Sequence, residues 1–138
     1  MRRADNARFA VSGVNLGLFC STPSVALSRN LGRKQAMEML LTGEPISAAT
    51  ALDIGLVNRV VAAGAERDAA IALAQKVALK SAYTIKIGKA AFYRQAEMSL
   101  AGAYRYAAEV MTENMMARDA EEGICAFIEK RDPRWEDK

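Results

Sequence analysis

The sequence predicts a mainly helical chain with short β segments confined to its first 62 residues. Two observations carry this. After Gly64, four apolar stripes recur at three- and four-residue spacing, the pattern of helices with one apolar face. Before it, three short β-like runs stand between glycine and proline punctuation.

Arg8-Phe-Ala-Val-Ser12 and Val14 to Leu18 read as two of these runs, separated by Gly13. Gly17 and the Cys-Ser-Thr-Pro stretch follow as a turn. Thr22 suits a helix N-cap with Pro23 at the first helical position, where its missing N–H costs nothing. That helix runs to about Asn30 and ends at Gly32. A second, Lys34 to Leu41, stops at Gly43, which tolerates the left-handed conformation that terminates helices, and Pro45 forbids its resumption. Ser47 caps a short helix, Ala48 to Ile54, that ends at Gly55. Leu56-Val57 and Val60-Val61 form the β segment leaving it.

A hinge at Ala62-Ala-Gly64 opens the helical part. Residues 65–80 align Ile71, Ala74, Val77 and Ala78, and the next helix, from Ala82, aligns Ile85, Gly88, Phe92 and Ala96. After the cap Ser99, the residues Leu100, Ala103, Tyr104, Ala107, Ala108, Met111 and Met115 fall at near-ideal helical spacing. Asp119 and Glu122 form a cap-like pair for a last helix to Lys130, which stops before Pro133. The Met and Tyr positions read as core or helix-packing contacts.

Composition narrows the chemistry. The chain has 138 residues, 51% hydrophobic and 25% charged, enough for one domain or part of one. No apolar run approaches the roughly 20 residues of a spanning helix, and Met1-Arg-Arg opens no signal-peptide core. Cys20 and Cys125 read as reduced thiols packed as small hydrophobes, which suits a cytosolic or matrix compartment. There is no histidine, so Ser-His-Asp and Cys-His catalysis are excluded and a metal site is not expected. The net charge of +3 is concentrated early: residues 1–62 carry seven Lys/Arg against four Asp/Glu, and 63–138 carry twelve of each. Such an excess attracts an anionic ligand but lacks the clustered basic stripe that nucleic acid requires.

The wording of the chain adds more. Thr42-Gly43 followed by Ile46-Ser47-Ala48, Ala51 and Gly55-Leu56-Val57, together with Glu121-Glu-Gly-Ile-Cys-Ala-Phe-Ile-Glu-Lys-Arg131, resembles the C-terminal half of the enoyl-CoA hydratase/isomerase (crotonase) superfamily. Gly13-Val-Asn-Leu-Gly-Leu-Phe-Cys-Ser-Thr-Pro23 is most similar to its mitochondrial enoyl-CoA hydratase domain-containing subgroup and bacterial relatives. The resemblance implies that residues 1–62 end a ClpP/crotonase-type α/β spiral core, with the acyl-pocket loop and the two-helix motif. It implies that 63–138 form a helical oligomerisation region of trimers or hexamers. Implied location is the cytoplasm in a bacterium or the mitochondrial matrix in a eukaryote, with no membrane or nucleic-acid partner.

The family stabilises a thioester enolate with two backbone N–H groups and moves protons with one or two glutamates. The resemblance places the oxyanion hole and first glutamate in motifs this sequence does not contain, and Gly13 stands where hydratases carry the second. Asp5, Glu44 and Asp53 read as solvated, so no catalytic residue is assigned. Coenzyme A enters only as part of the acyl-CoA substrate, and the F-x-x-K of the ending implies that Phe127 and Lys130 meet its adenine end. Taken alone, Phe127 also suits a core position and Lys130 a helix C-terminus. The alternative to an enzyme part is a non-catalytic acyl-CoA-binding or helical oligomerisation module.

Overall fold

A computed structural model describes residues 2–138, with side chains from residue 5 onward. The chain forms two compact units, Met1–Leu73 and Ala74–Lys138.

In the first unit, β1 (Arg2–Ala4) pairs in parallel with β4 (Arg59–Val61), placing Arg3 opposite Val60. A second two-stranded ribbon joins β2 (Arg8–Phe9) antiparallel to β3 (Ile46–Ser47), with Phe9 opposite Ile46. Between β2 and β3 run α1 (Ser21–Asn30) and α2 (Arg33–Thr42), and α3 (Ala48–Asp53) follows β3. Leu27 and Leu31 meet Ala36, Met39 and Leu40 in a core flanked by Phe9, Val11, Cys20, Ile46, Ile54 and Leu56. Each large side chain buried there contributes roughly 1.5–3 kcal/mol.

The local punctuation follows from the residues. Gly43 takes φ 64° and donates to the Met39 carbonyl, closing α2 as expected. The Ser47 hydroxyl accepts the Thr50 N–H at 3.0 Å and starts α3.

Three expectations are corrected. Val14–Leu18 is not a strand: Ser12–Leu16 is a 3-10 turn closed by Gly17 at φ 75°, and Leu16 and Leu18 are exposed. The alternating apolar residues imitate a strand, but Gly13 and Gly17 let the chain coil, with Leu18 N–H returning to the Gly13 carbonyl. Thr22 lies inside α1 rather than capping it. Pro23 has no N–H, so the first return bond comes from Ser24 N–H to the Cys20 carbonyl, and the helix starts two residues earlier, at Ser21. Leu56-Val57 belongs to the bend before β4, where Val57 N–H bonds the Ala51 carbonyl.

Helix α4 (Glu66–Ala78) carries the chain into the second unit, where α5 (Ala82–Gln95), α6 (Leu100–Met115) and α7 (Arg118–Glu129) follow. Ser81 and Ser99 cap α5 and α6 through the N–H groups of Thr84 and Gly102. Helices α5 and α6 pair side by side, with Tyr83 donating to Glu113 and Thr84 to Asn114. A groove of about 180 Å³ between them is lined by Ile87, Ala91, Val110 and Met111. The Met and Tyr positions are not core here: Tyr104, Met111 and Met115 are exposed. Cys20 is half-buried and Cys125 exposed, both as free thiols, so Cys125 is not a core residue of this chain.

Candidate functional site

The end of α7 is built by its own sequence. Lys130 sits just past the helix at φ 54°, a left-handed conformation usually left to glycine. Lys130 N–H bonds the Phe127 carbonyl at 3.3 Å and Arg131 N–H the Ala126 carbonyl at 3.0 Å, the paired bonds of a Schellman turn. Lys130 is therefore a turn residue beyond the last helical turn. No acidic group among the described residues pairs with its ammonium. Phe127, three residues earlier, is 83% exposed, which removes the core reading for it in this chain. The structure thus brings an open aromatic face and an unpaired cation to one helix end.

Behind this end the chain folds back on itself. Asp119 and Glu122 do not cap α7, whose first residue is Arg118 and whose N-cap position is Ala117. They serve as receptors for the C-terminal strap instead. The Asp119 carboxylate, 2% exposed, accepts the N–H groups of Glu136 at 2.7 Å and Asp137 at 3.1 Å. Its burial works against ionisation, but the Ser81 hydroxyl and those two N–H groups hold its pKa below the usual carboxylate range. Asp137 in turn accepts the Ala82 N–H at 2.7 Å, satisfying the start of α5. Trp135 donates its indole N–H to the Leu79 carbonyl at 2.9 Å. Its ring lies against Gly123, where a β-carbon would approach it at 3.3 Å.

Glu122 is the hub. Its two oxygens take the Arg131 guanidinium at 2.6 and 3.0 Å, and it accepts the Arg134 N–H at 2.7 Å. These bonds, from Arg131 first and then from Arg134, hold Glu122 down to about 2. Arg131 also reaches Glu129. The strap was invisible to periodicity. Only the lone tryptophan in a polar tail after Pro133 hinted that the tail is anchored.

In the first unit, Gly13 lies where the turn is tight. A β-carbon there would stand 2.5 Å from Cys20 Sγ and 2.8 Å from the Leu18 carbonyl oxygen, so a side chain requires the turn to move. In the same unit, Phe19, Ser24, Ser28, Arg33, Met37 and Leu40 line a groove of about 340 Å³. Asp5, Glu44 and Asp53 are exposed, and no cluster of metal-binding side chains occurs among the described residues. Nor is any described helix long and apolar enough to cross a membrane.

A mainly helical chain with a punctuated two-helix motif and this terminal turn defines a class, and the comparisons bear it out. Residues 2–138 match the enoyl-CoA hydratase/isomerase family model, and the chain belongs to that family. Among relatives, it is 49% identical over 132 residues to "Enoyl-CoA hydratase domain-containing protein 3, mitochondrial" of Xenopus laevis, covering 96% of this chain and 45% of that protein. Among solved structures, an enoyl-CoA hydratase of Mycobacterium smegmatis superposes with TM-score 0.93 at 54% identity, over 97% of this chain and 52% of that one. Human enoyl Coenzyme A hydratase domain-containing protein 3 superposes with TM-score 0.91 at 46% identity, over 97% and 53%. The chain spans about half the length of the proteins it matches.

Proposed function

We propose that this chain supplies the adenine-end contacts and the acyl-pocket cover of a crotonase-fold protein that handles acyl-CoA thioesters, and that alone it does not hydrate them. The observation that carries the reading is the exposed Phe127 followed by the unpaired Lys130, at the two positions of the family's terminal motif. An aromatic face suits adenine, and an ammonium suits a neighbouring phosphate as a point charge.

Against catalysis by the chain alone stand two features. The resemblance assigns the oxyanion hole to motifs not found in this sequence, and losing even one donor from such a hole typically costs about 10²–10³ in rate. Gly13 can neither give nor take a proton, and the space beside it is filled by the Cys20 thiol. In a bacterium such a protein would work in the cytoplasm, and in a eukaryote in the mitochondrial matrix.

The exposed apolar face of α6 supports a homo-oligomer, trimeric or hexameric. Leu100, Tyr104, Met111 and Met115 are all exposed along it, more apolar surface than a soluble monomer ordinarily leaves open.

Two measurements test the proposal. Calorimetric titration should show coenzyme A binding that weakens in Phe127→Ala and Lys130→Ala. Crotonyl-CoA absorbance should stay at background with purified chain, and Gly13→Glu should not raise it. Unchanged affinity in both alanine variants, or turnover scaling with protein, overturns the corresponding half.

A further inference from the structure

We propose that Glu122 is a positioning residue that, through Arg131, holds the left-handed turn presenting Lys130 and thereby sets the chain's affinity for the adenine end of coenzyme A. The inference rests on the adenine-end reading of Phe127 and Lys130 and adds to it a residue outside the F-x-x-K pair. Three observations carry it.

First, Lys130 is held at φ 54° with a full side chain, a conformation that persists only where the surroundings determine it. Second, the residue next to it is clamped. Arg131 gives two guanidinium N–H groups to Glu122 in a forked pair, while its backbone N–H closes the turn on Ala126. Third, Glu122 also accepts Arg134 N–H, which bends the chain back around Asp132 and Pro133 and prevents the turn from unwinding into the tail. Glu122 and Glu129 thus share the charge of Arg131, and that of Lys130 is left free. The glutamate, glycine, alanine and arginine of the terminal motif acquire physical tasks. Glu122 and Arg131 make the clamp, Gly123 admits the Trp135 ring, and Ala126 is the buried acceptor of the turn.

The test uses the chain itself, with 3′-phosphoadenosine 5′-diphosphate as the probe in calorimetric titrations. Glu122→Gln keeps the shape but loses the forked charge pair, and Arg131→Ala removes the other half without touching α7. Each should weaken binding about tenfold, the scale of a lost hydrogen bond to a charged group. The double variant Glu122→Gln/Lys130→Ala should bind no more weakly than Lys130→Ala alone, because the clamp acts only through Lys130. A merely structural role would lower thermal stability and add to the Lys130 loss. Wild-type affinity in Glu122→Gln and Arg131→Ala, or additive losses in the double variant, with Lys130→Ala weakened, overturns the clamp and leaves the adenine-end reading standing. Wild-type affinity in Lys130→Ala, or no binding by the wild-type chain, overturns both.

Discussion

Each of the two units is stabilised internally by different means. Residues up to Leu73 bury aliphatic side chains: Leu27, Leu31, Met39, Leu40 and Val57 are nearly closed to solvent. From Ala74 onward, Ala126 is the only described apolar residue buried to that degree, beside two polar ones, Ser81 and Asp119. The first unit is organised by transfer of apolar surface from water, and the second by directed hydrogen bonds that tie its tail to its helices. Amphipathic helices that leave their apolar faces uncovered have a surface made for another surface, and the first unit too leaves Leu16, Leu18 and Leu41 exposed around its aliphatic core.

This contrast is broken or sharpened most strongly by core truncation. Leu40→Ala should destabilise the first unit by about 2–5 kcal/mol, the usual range for a buried leucine. Met116→Ala, at a residue 83% exposed, should change stability by less than about 0.5 kcal/mol. Urea unfolding followed by circular dichroism measures both. Comparable losses would mean that Met116 is covered in solution, which is itself a sign of self-association.

A smaller effect is expected at Gly13. Alanine there places a methyl against the Leu18 carbonyl and the Cys20 thiol, and overpacking of this kind costs about 1–3 kcal/mol. Gly13→Ala combined with Cys20→Gly should recover part of the loss, since it removes the closer contact and leaves the backbone one. No recovery would locate the whole constraint in the Leu18 carbonyl.

Legibility in the sequence divides along the same line. Gly43, Ser47 and Gly55 act where the sequence places them, because caps and left-handed stops are properties of single residues and their neighbours. The helices after Gly64 were legible from spacing. What spacing does not report is whether a stripe faces a partner within the chain, so Tyr104, Met111 and Met115 read as core or helix-packing contacts and are exposed. Val14–Leu18 read as a strand because alternation over a few residues is also compatible with a coil between two glycines. Asp119 and Glu122 read as a cap because acids near a helix start usually are. Their actual ligands, the N–H groups of residues 134, 136 and 137, lie a dozen or more positions away, beyond any local pattern. Phe127 and Lys130 came from motif resemblance. Their exposure and the turn between them are structural facts that no periodicity contains.

The mildest expected effect is a pH dependence confined to the second unit. Glu122 has its acidity shifted from the ordinary 4.5 to about 2 by Arg131 and then by the Arg134 N–H. A carboxylate depressed on folding contributes stability that is fully present above its unfolded value and is lost as pH falls through the folded one. The strap should therefore stay docked at neutral pH, begin to loosen near pH 4.5 and release towards about pH 2, with Asp119 contributing in the same direction. Trp135 is the sole tryptophan and sits in the strap, so its emission reports the release without a label. Arg131→Ala removes the main cause of the shift and should raise the midpoint towards 4.5. It should leave the far-UV helical signal at neutral pH unchanged, because the helices do not depend on the clamp. A midpoint equal in wild type and Arg131→Ala would show that the strap is held by Asp119 and Trp135 alone.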